Sequence, residues 1–188
     1  YDLFAKTKHK IRSILLCEKP LADAIGLGLD ITQPTGIMVV DMGADTTEIS
    51  VISLSGMVIS HLLPSGGNRL DECIQTFLRR HFNLIIGAKT AKSLKENIGS
   101  TSVDYDKTQK VVGRDVVSGL PIEMEIESHV VNEAIRDELD NISNSIKMIL
   151  EKTPPELARD IVNAGIYVTG GGSLLNGLSD YYNNITGI

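Results

Sequence analysis

The sequence predicts an α/β protein, and three observations carry that reading. Three apolar, strand-like runs follow one another between residues 37 and 63. In two later segments, 68–82 and 131–149, apolar residues recur every three or four positions, as on one face of a helix. Near the end a strand-like Ile166-Tyr167-Val168 runs into three consecutive glycines and then a helical segment.

Taken in order, Tyr1–Lys10 is charged and helix-compatible, and Ile11–Cys17 reads as a buried strand. A start without Met that leads straight into a strand is expected of a piece of a longer protein. Pro20 opens a short helix, Leu21–Ile25, which Gly26 and Gly28 end. The runs Ile37–Met42, Glu48–Leu54 and Met57–Leu63 form an antiparallel meander. Gly43-Ala44-Asp45-Thr46 makes its first turn and Ser55-Gly56 its second. Leu70, Ile74, Phe77, Leu78 and His81 mark the amphipathic face of a helix over 68–82, and a further helix over 90–97 stops at Gly99. Short strands follow at Val111-Val112, Val116-Val117 and the alternating Ile122–Glu127. Ser128 is the expected N-cap of a long helix with Val131, Ile135, Leu139, Ile142, Ile146 and Ile149 on its core face. That spacing also allows coiled-coil pairing. Thr153-Pro154-Pro155-Glu156 predicts a capping box for the next helix, and Ser173–Tyr182 the last one.

Composition narrows the function. The chain has 188 residues, 42% of them hydrophobic and 22% charged, with a net charge of −6. It is ordinary folded-protein composition, enough for one domain or two small ones sharing a core. Residues 1–19 sum to about +3 and 79–110 to about +4 on an acidic whole. Without aromatic residues interleaved among the basic ones, this argues against a nucleic-acid partner. No apolar run reaches the roughly 18 residues of a membrane span. Cys17 and Cys73 read as reduced core residues of a cytosolic protein. His9, His61, His81 and His129 are too scattered for a metal site.

Two loops have phosphate chemistry. In Thr169-Gly170-Gly171-Gly172-Ser173 the glycines permit close backbone approach, and a helix beginning near Ser173 would offer unpaired N–H groups to an anion. In Asp41–Thr47 an acid at a strand end can hold Mg²⁺ through water, while loop N–H groups and the Thr46 and Thr47 hydroxyls meet phosphate. In isolation each also reads as a plain turn. The Walker A and G-x-G-x-x-G patterns are absent.

Together with Val39–Glu48, several segments carry a family resemblance: Ser65-Gly66-Gly67, Leu70-Asp71-Glu72, Gly113-Arg114-Asp115, Ser118-Gly119-Leu120-Pro121, Thr153–Leu157 and Thr169–Leu175. In order and spacing the chain from Ile11 to Ile188 resembles the bacterial actins of the MreB family, within the actin and heat-shock-chaperone ATPase superfamily. The resemblance implies an actin-like (ribonuclease H-like) ATPase fold, of which this chain is mostly the second lobe with a small inserted α+β subdomain. Residues 1–33 would end the first lobe and form the interdomain helix. Residues 34–67 plus 131–188 would be the large nucleotide-binding subdomain, and 68–130 the small one that caps it. ATP or ADP with Mg²⁺ would lie in the cleft between lobes, the metal held by Asp41 through water. Asp41, Gly43, Ala44, Asp45, Thr46 and Thr47 match the phosphate loop. Gly170, Gly171, Gly172 and Ser173 match the adenosine loop, and Gly66 and Gly67 a turn near ribose and phosphates. Lys95 matches a basic residue against the adenine.

Three departures from the family pattern bear on catalysis. Its water-orienting Glu is Lys19 here, within Glu18-Lys19-Pro20. An ammonium donates hydrogen bonds and accepts none, although it can attract the terminal phosphate. Glu18 is one residue off and on a strand faces the other side. The phosphate loop carries Gly43-Ala44-Asp45 in place of three glycines. A carboxylate there repels a triphosphate: two unit charges ~4 Å apart at an effective dielectric of ~20 interact by about 4 kcal/mol. Lys19 and Asp45 are therefore expected to pair across the cleft. Lys92 stands for an adenosine-binding Glu and removes an acceptor for ribose hydroxyls.

The expectation is an ATP-binding cytoskeletal filament protein of the cytoplasm, serving cell shape or filament-based motility. It assembles by self-association and has weakened or lost ATP hydrolysis, with Thr46 the remaining candidate for positioning water. The alternatives are a regulatory pseudo-ATPase that modulates MreB paralogues and a non-polymerising ATPase on the same fold. Membrane attachment is not readable from these residues.

Overall fold

A computed structural model describes residues 4, 6, 11–102 and 104–188. The helix expected over Tyr1–Lys10 lies outside them, Phe4 and Lys6 apart. The described chain opens irregularly, and the strand expected over Ile11–Cys17 is not formed. Leu15 and Leu16 are 90% and 87% exposed. A strand needs a neighbour for its backbone N–H and C=O groups, and this segment joins neither sheet. Cys17, expected in the core, is exposed for the same reason.

Helix α1 (Lys19–Gly26) has Pro20 in its first turn, where a missing N–H costs nothing. Strands β1 (Ile37–Met42), β2 (Thr47–Ser53) and β3 (Gly56–Leu63) form the meander. Its second turn is made by Leu54 and Ser55, both at positive φ (50° and 59°), one residue earlier than Ser55-Gly56. Helix α2 (Gly67–His81), the short strand β4 (Leu84–Ile85) and helix α3 (Ala88–Ile98) follow. Strands β5 (Thr108–Asp115) and β6 (Pro121–Glu127) form a hairpin. The strand expected at Val116-Val117 is instead its turn. Asp115 Oδ1 accepts hydrogen bonds from the Ser118 N–H and hydroxyl and from the Val117 N–H, which hold its carboxyl below the usual range.

The chain ends with helices α4 (Ser128–Lys152) and α5 (Pro155–Ala164), strand β7 (Ile166–Thr169), a 3₁₀ turn over Gly171–Leu174, and helix α6 (Leu178–Thr186). Two expected caps are used differently. Ser128 does not cap α4: its hydroxyl donates to the Tyr105 carbonyl and accepts from Lys107 N–H, pinning the 105–107 loop. Thr153 closes α4 by donating to the Ile149 carbonyl (2.7 Å), so the capping box with Glu156 is not made.

The strands form two sheets, β3-β2-β1-β7 and β4-β5-β6. β1 is antiparallel to β2 and parallel to β7, and all six of its residues are buried. Met38, Val40 and Met42 share a core with Ile135, Leu139, Ile142 and Ile146 of α4, the face expected from their spacing. The coiled-coil alternative is thereby excluded, since this face is spent inside the chain. Ile37 and Val39 point to the opposite side, where Ala24 of α1 and Ile52 meet them. Covering on both sides explains why β1 is a continuous apolar run. The larger core runs on without a break through Leu84, Leu94, Val111 and Ile126, so both sheets close over one interior.

Candidate functional site

Parallel pairing sets β1 and β7 side by side with Asp41 opposite Thr169, so the chain leaves both strands at their carboxyl ends together. In open α/β sheets this is where ligands are held. Gly170 has φ 82° and ψ 172°, a conformation nearly confined to glycine. A Cβ on it would stand 2.5 Å from Asp41 Oδ1 and from the Met42 carbonyl oxygen. One on Gly172 would lie 2.6 Å from Met42 Cβ. The glycine turn thus rests on the two residues that lead into the 43–46 loop, and the two expected phosphate loops are neighbours. Gly171 faces open space, and the Ser173 hydroxyl donates to the Gly170 carbonyl (2.7 Å). The helix expected to begin at Ser173 begins at Leu178, so the anion-binding helix end read there is a single 3₁₀ turn.

The 43–46 loop is closed by Gly43 N–H on the Thr46 carbonyl (2.9 Å) and is clamped to the start of α2. Gly67 N–H donates to the Gly43 carbonyl (2.9 Å) and Asn68 N–H to that of Ala44 (2.8 Å). This uses two of the first N–H groups of α2, which a helix cannot satisfy itself. Gly66 admits the contact because a Cβ would lie 2.7 Å from both loop carbonyls. Ala44 and Asp45 are exposed and Thr46 is half-buried. Thr47, expected at the phosphates, is fully buried, and its hydroxyl donates to the Ser65 carbonyl (2.7 Å). It holds the 65–67 turn, as its place inside β2 requires.

Lys19 and Asp45 do not form the expected pair. Lys19 Nζ pairs with Asp41 Oδ2, and Asp45 Oδ1 accepts a hydrogen bond from Asn68 Nδ2 (2.7 Å). Strand parity explains the exchange. Residues 37, 39 and 41 share a face of β1, and α1, whose first residue is Lys19, packs on that face. Asp45 lies beyond the strand, on the α2 side. Asp41 is 6% exposed, with Oδ2 on the ammonium and Oδ1 against Gly170. A dication does not fit this carboxylate while Lys19 occupies it. Nor do the described residues contain a group of three or more His, Cys, Asp or Glu side chains able to hold a metal elsewhere.

The remaining wall comes from α3. Lys95, expected against the adenine, turns inward. Its ammonium bonds the Gly67 carbonyl (2.6 Å) and pairs with Asp71 Oδ1 (2.8 Å), with 14% of its side chain exposed. Lys92 stays on the surface, 3.8 Å from Glu96 one turn on. The end of α3 docks on the segment before α6: Thr101 N–H donates to the Asn176 carbonyl (2.8 Å) and the Ser100 hydroxyl to Asn176 Oδ1 (3.0 Å). Asn68, Asp71 and Asn176 were missed as site-building residues. Asp71 had a signal, since at helical spacing it falls with Ile74 and Leu78 on an apolar face, where an acid needs a partner.

Partly open hollows lie beside β7. One of about 300 Å³ runs along β7 to the glycine turn, lined by Ile166, Val168, Ser173, Leu178, Tyr182 and Ile188. The other, about 280 Å³, lies where Leu29 and Gly36 meet Asp160 and Tyr167. Burial raises the Tyr182 phenol, whose hydroxyl reaches Met42 Sδ (3.3 Å). Burial likewise raises the half-buried Cys73 thiol, which makes it a poor nucleophile.

The family model for the MreB/Mbl protein matches residues 5–188. The cell shape-determining protein Mbl of Bacillus subtilis is 41% identical over 175 residues, covering 93% of this chain and 53% of Mbl. The crystal structure of MreB5 of Spiroplasma citri bound to AMPPNP superposes with a TM-score of 0.88 at 35% identity, over 91% of this chain and 52% of MreB5. A chain of the MamK double helical filament matches with a TM-score of 0.64 at 27% identity, over 79% of this chain and 45% of MamK. The chain spans about half the length of the relatives it matches. Its fold is actin-like, and the chain belongs to the MreB/Mbl family.

Proposed function

We propose that this chain is the nucleotide-gripping second lobe of an MreB-type filament protein that binds ATP or ADP and hydrolyses ATP slowly. The observation that carries the reading is the joint placement of the 43–46 loop and the Gly170–Ser173 turn at the ends of β1 and β7, with Lys19 on Asp41 between them. The bound AMPPNP of MreB5 supports nucleotide binding, and the MamK filament supports self-association through repeated head-to-tail contacts. In this scheme residues 34–67 and 131–188 form the nucleotide-bearing subdomain and 68–130 its cap. The protein works in the cytoplasmic cytoskeleton. The loop backbone receives the phosphates, and Thr46 is the group left to position water.

Slow turnover follows from Lys19. Positioned acid–base assistance contributes about 10²–10⁴-fold, and an ammonium cannot accept a proton from water. Pelleting of the intact protein with ATP should show polymer. Phosphate release should run about 10²–10⁴-fold below that of an ordinary MreB. Lys19→Glu should raise release, with or without Asp45→Gly, because Asp45 is not the partner of Lys19. Release at the ordinary rate sinks the slow-hydrolysis reading. Lys19 also suits a regulatory pseudo-ATPase. That reading predicts no polymer from this protein alone and co-assembly with an active MreB.

A further inference from the structure

The carboxylate that would hold a hydrated Mg²⁺ already carries a cation from its own chain. Lys19 Nζ pairs with Asp41 Oδ2, while Oδ1 lies 2.5 Å from where a Cβ on Gly170 would stand, a space the glycine leaves free. Mg²⁺ keeps most of its waters and is bound through one or two carboxylates plus substrate phosphates. Here that carboxylate is neutralised, so an arriving dication meets an ammonium in place of a free anion. The Lys19 side chain is 52% exposed and the Asp41 side chain 8%, so the lysine is the accessible half of the pair. An ammonium has three donors, and the pair with Asp41 uses one. Lysine is an effective phosphate ligand as a point charge.

We infer that Lys19 replaces the divalent cation at this site and links Asp41 to the terminal phosphates, so that nucleotide binding does not depend on Mg²⁺. The inference rests on the nucleotide reading above and deepens it by naming the resident cation. Carboxylate, cation and phosphate keep their order, but the cation is covalently tethered at the start of α1. Binding then brings α1 into the charge balance of the site directly.

The test is the dissociation constant of ATP for the intact protein, measured by calorimetry in Mg²⁺ and again in EDTA. Wild-type affinity should agree within twofold between the two buffers. Lys19→Met keeps the stem and removes the charge, and should bind at least tenfold more weakly in EDTA than in Mg²⁺. Lys19→Arg keeps the charge and should stay within threefold of wild type without metal. A variant with unchanged far-ultraviolet circular dichroism is compared, and Lys19→Arg serves as the second one. A tenfold or larger loss by wild type in EDTA overturns the inference while leaving nucleotide binding intact. So does an unchanged metal ratio in Lys19→Met. Absence of ATP binding by wild type in both buffers overturns the nucleotide reading itself, and the inference falls with it.

Discussion

The two walls of the candidate site are built from different material. The wall at β1 and β7 is backbone: Gly66, Gly170 and Gly172 lie where a Cβ would come within 2.5–2.7 Å of other atoms. The α2–α3 wall is side chains, with Lys95 spanning the Gly67 carbonyl and Asp71. Geometry set by missing side chains tolerates almost no substitution. Geometry set by a charge pair tolerates loss of both partners better than loss of one. The walls meet at Gly67, whose N–H serves the first and whose carbonyl serves the second.

The largest expected effect breaks the side-chain wall. Lys95→Met leaves Asp71, 5% exposed, without its cation. Breaking a buried pair from one side costs about 3–5 kcal/mol, most of it for the stranded charge. Urea unfolding should show this loss, and Lys95→Met with Asp71→Leu together should recover most of it. A double variant as weak as the single one would mean that Lys95 acts chiefly through the Gly67 carbonyl.

The next effect tests the backbone wall. Gly170→Ala forces a Cβ into a conformation that costs about 1–3 kcal/mol for a residue other than glycine. It also overpacks Asp41 and Met42, for another 1–3 kcal/mol or so. A total loss of about 2–6 kcal/mol is expected in the same unfolding experiment, and no second substitution nearby should rescue it. Gly171→Ala is the control, because its Cβ would meet nothing within 4 Å. Equal losses at 170 and 171 would show that close approach does not set this turn.

The contrast also explains what was legible in the sequence. Backbone geometry leaves its mark locally: Gly66-Gly67 and Gly170-Gly171-Gly172 could be read directly, as could the core face Val131–Ile149. The choice of charge partner depends on which elements meet, and no local pattern carries it. Asp41 could have been matched to Lys19 by parity with Ile37 and Val39, once α1 was known to cover that face. Asp45 misled because it was the nearer departure from the family pattern, although it lies past the strand end. Residue type makes Ser128 and Thr153 candidate N-caps. Their hydroxyls serve the 105–107 loop and the end of α4 instead, because side-chain oxygens bond whichever backbone group tertiary packing brings close. The strand at Ile11–Cys17 failed for a different reason. Apolar patterning gives a strand its faces, but pairing needs an edge beside it, and this segment joins neither sheet.

The smallest expected effect sharpens the difference between the two lysines of α3. Lys95 holds the wall, whereas Lys92 is an exposed residue with one weak partner, Glu96. Lys92→Glu restores the acceptor that the family resemblance expects for ribose hydroxyls. It also sets two like charges one turn apart, costing about 0.2–0.5 kcal/mol. Stability should therefore hardly move. Affinity is the informative readout, because a hydrogen bond to a charged acceptor is worth about 1.5–3 kcal/mol. If the nucleotide lies against α3, Lys92→Glu should favour ATP over an analogue lacking both ribose hydroxyls by about tenfold more than wild type does. If the preference does not change, α3 supports the phosphate loop through Lys95 and takes no part in recognising the sugar. The side-chain wall would then be a brace for the backbone one, with specificity left to the 170–176 segment.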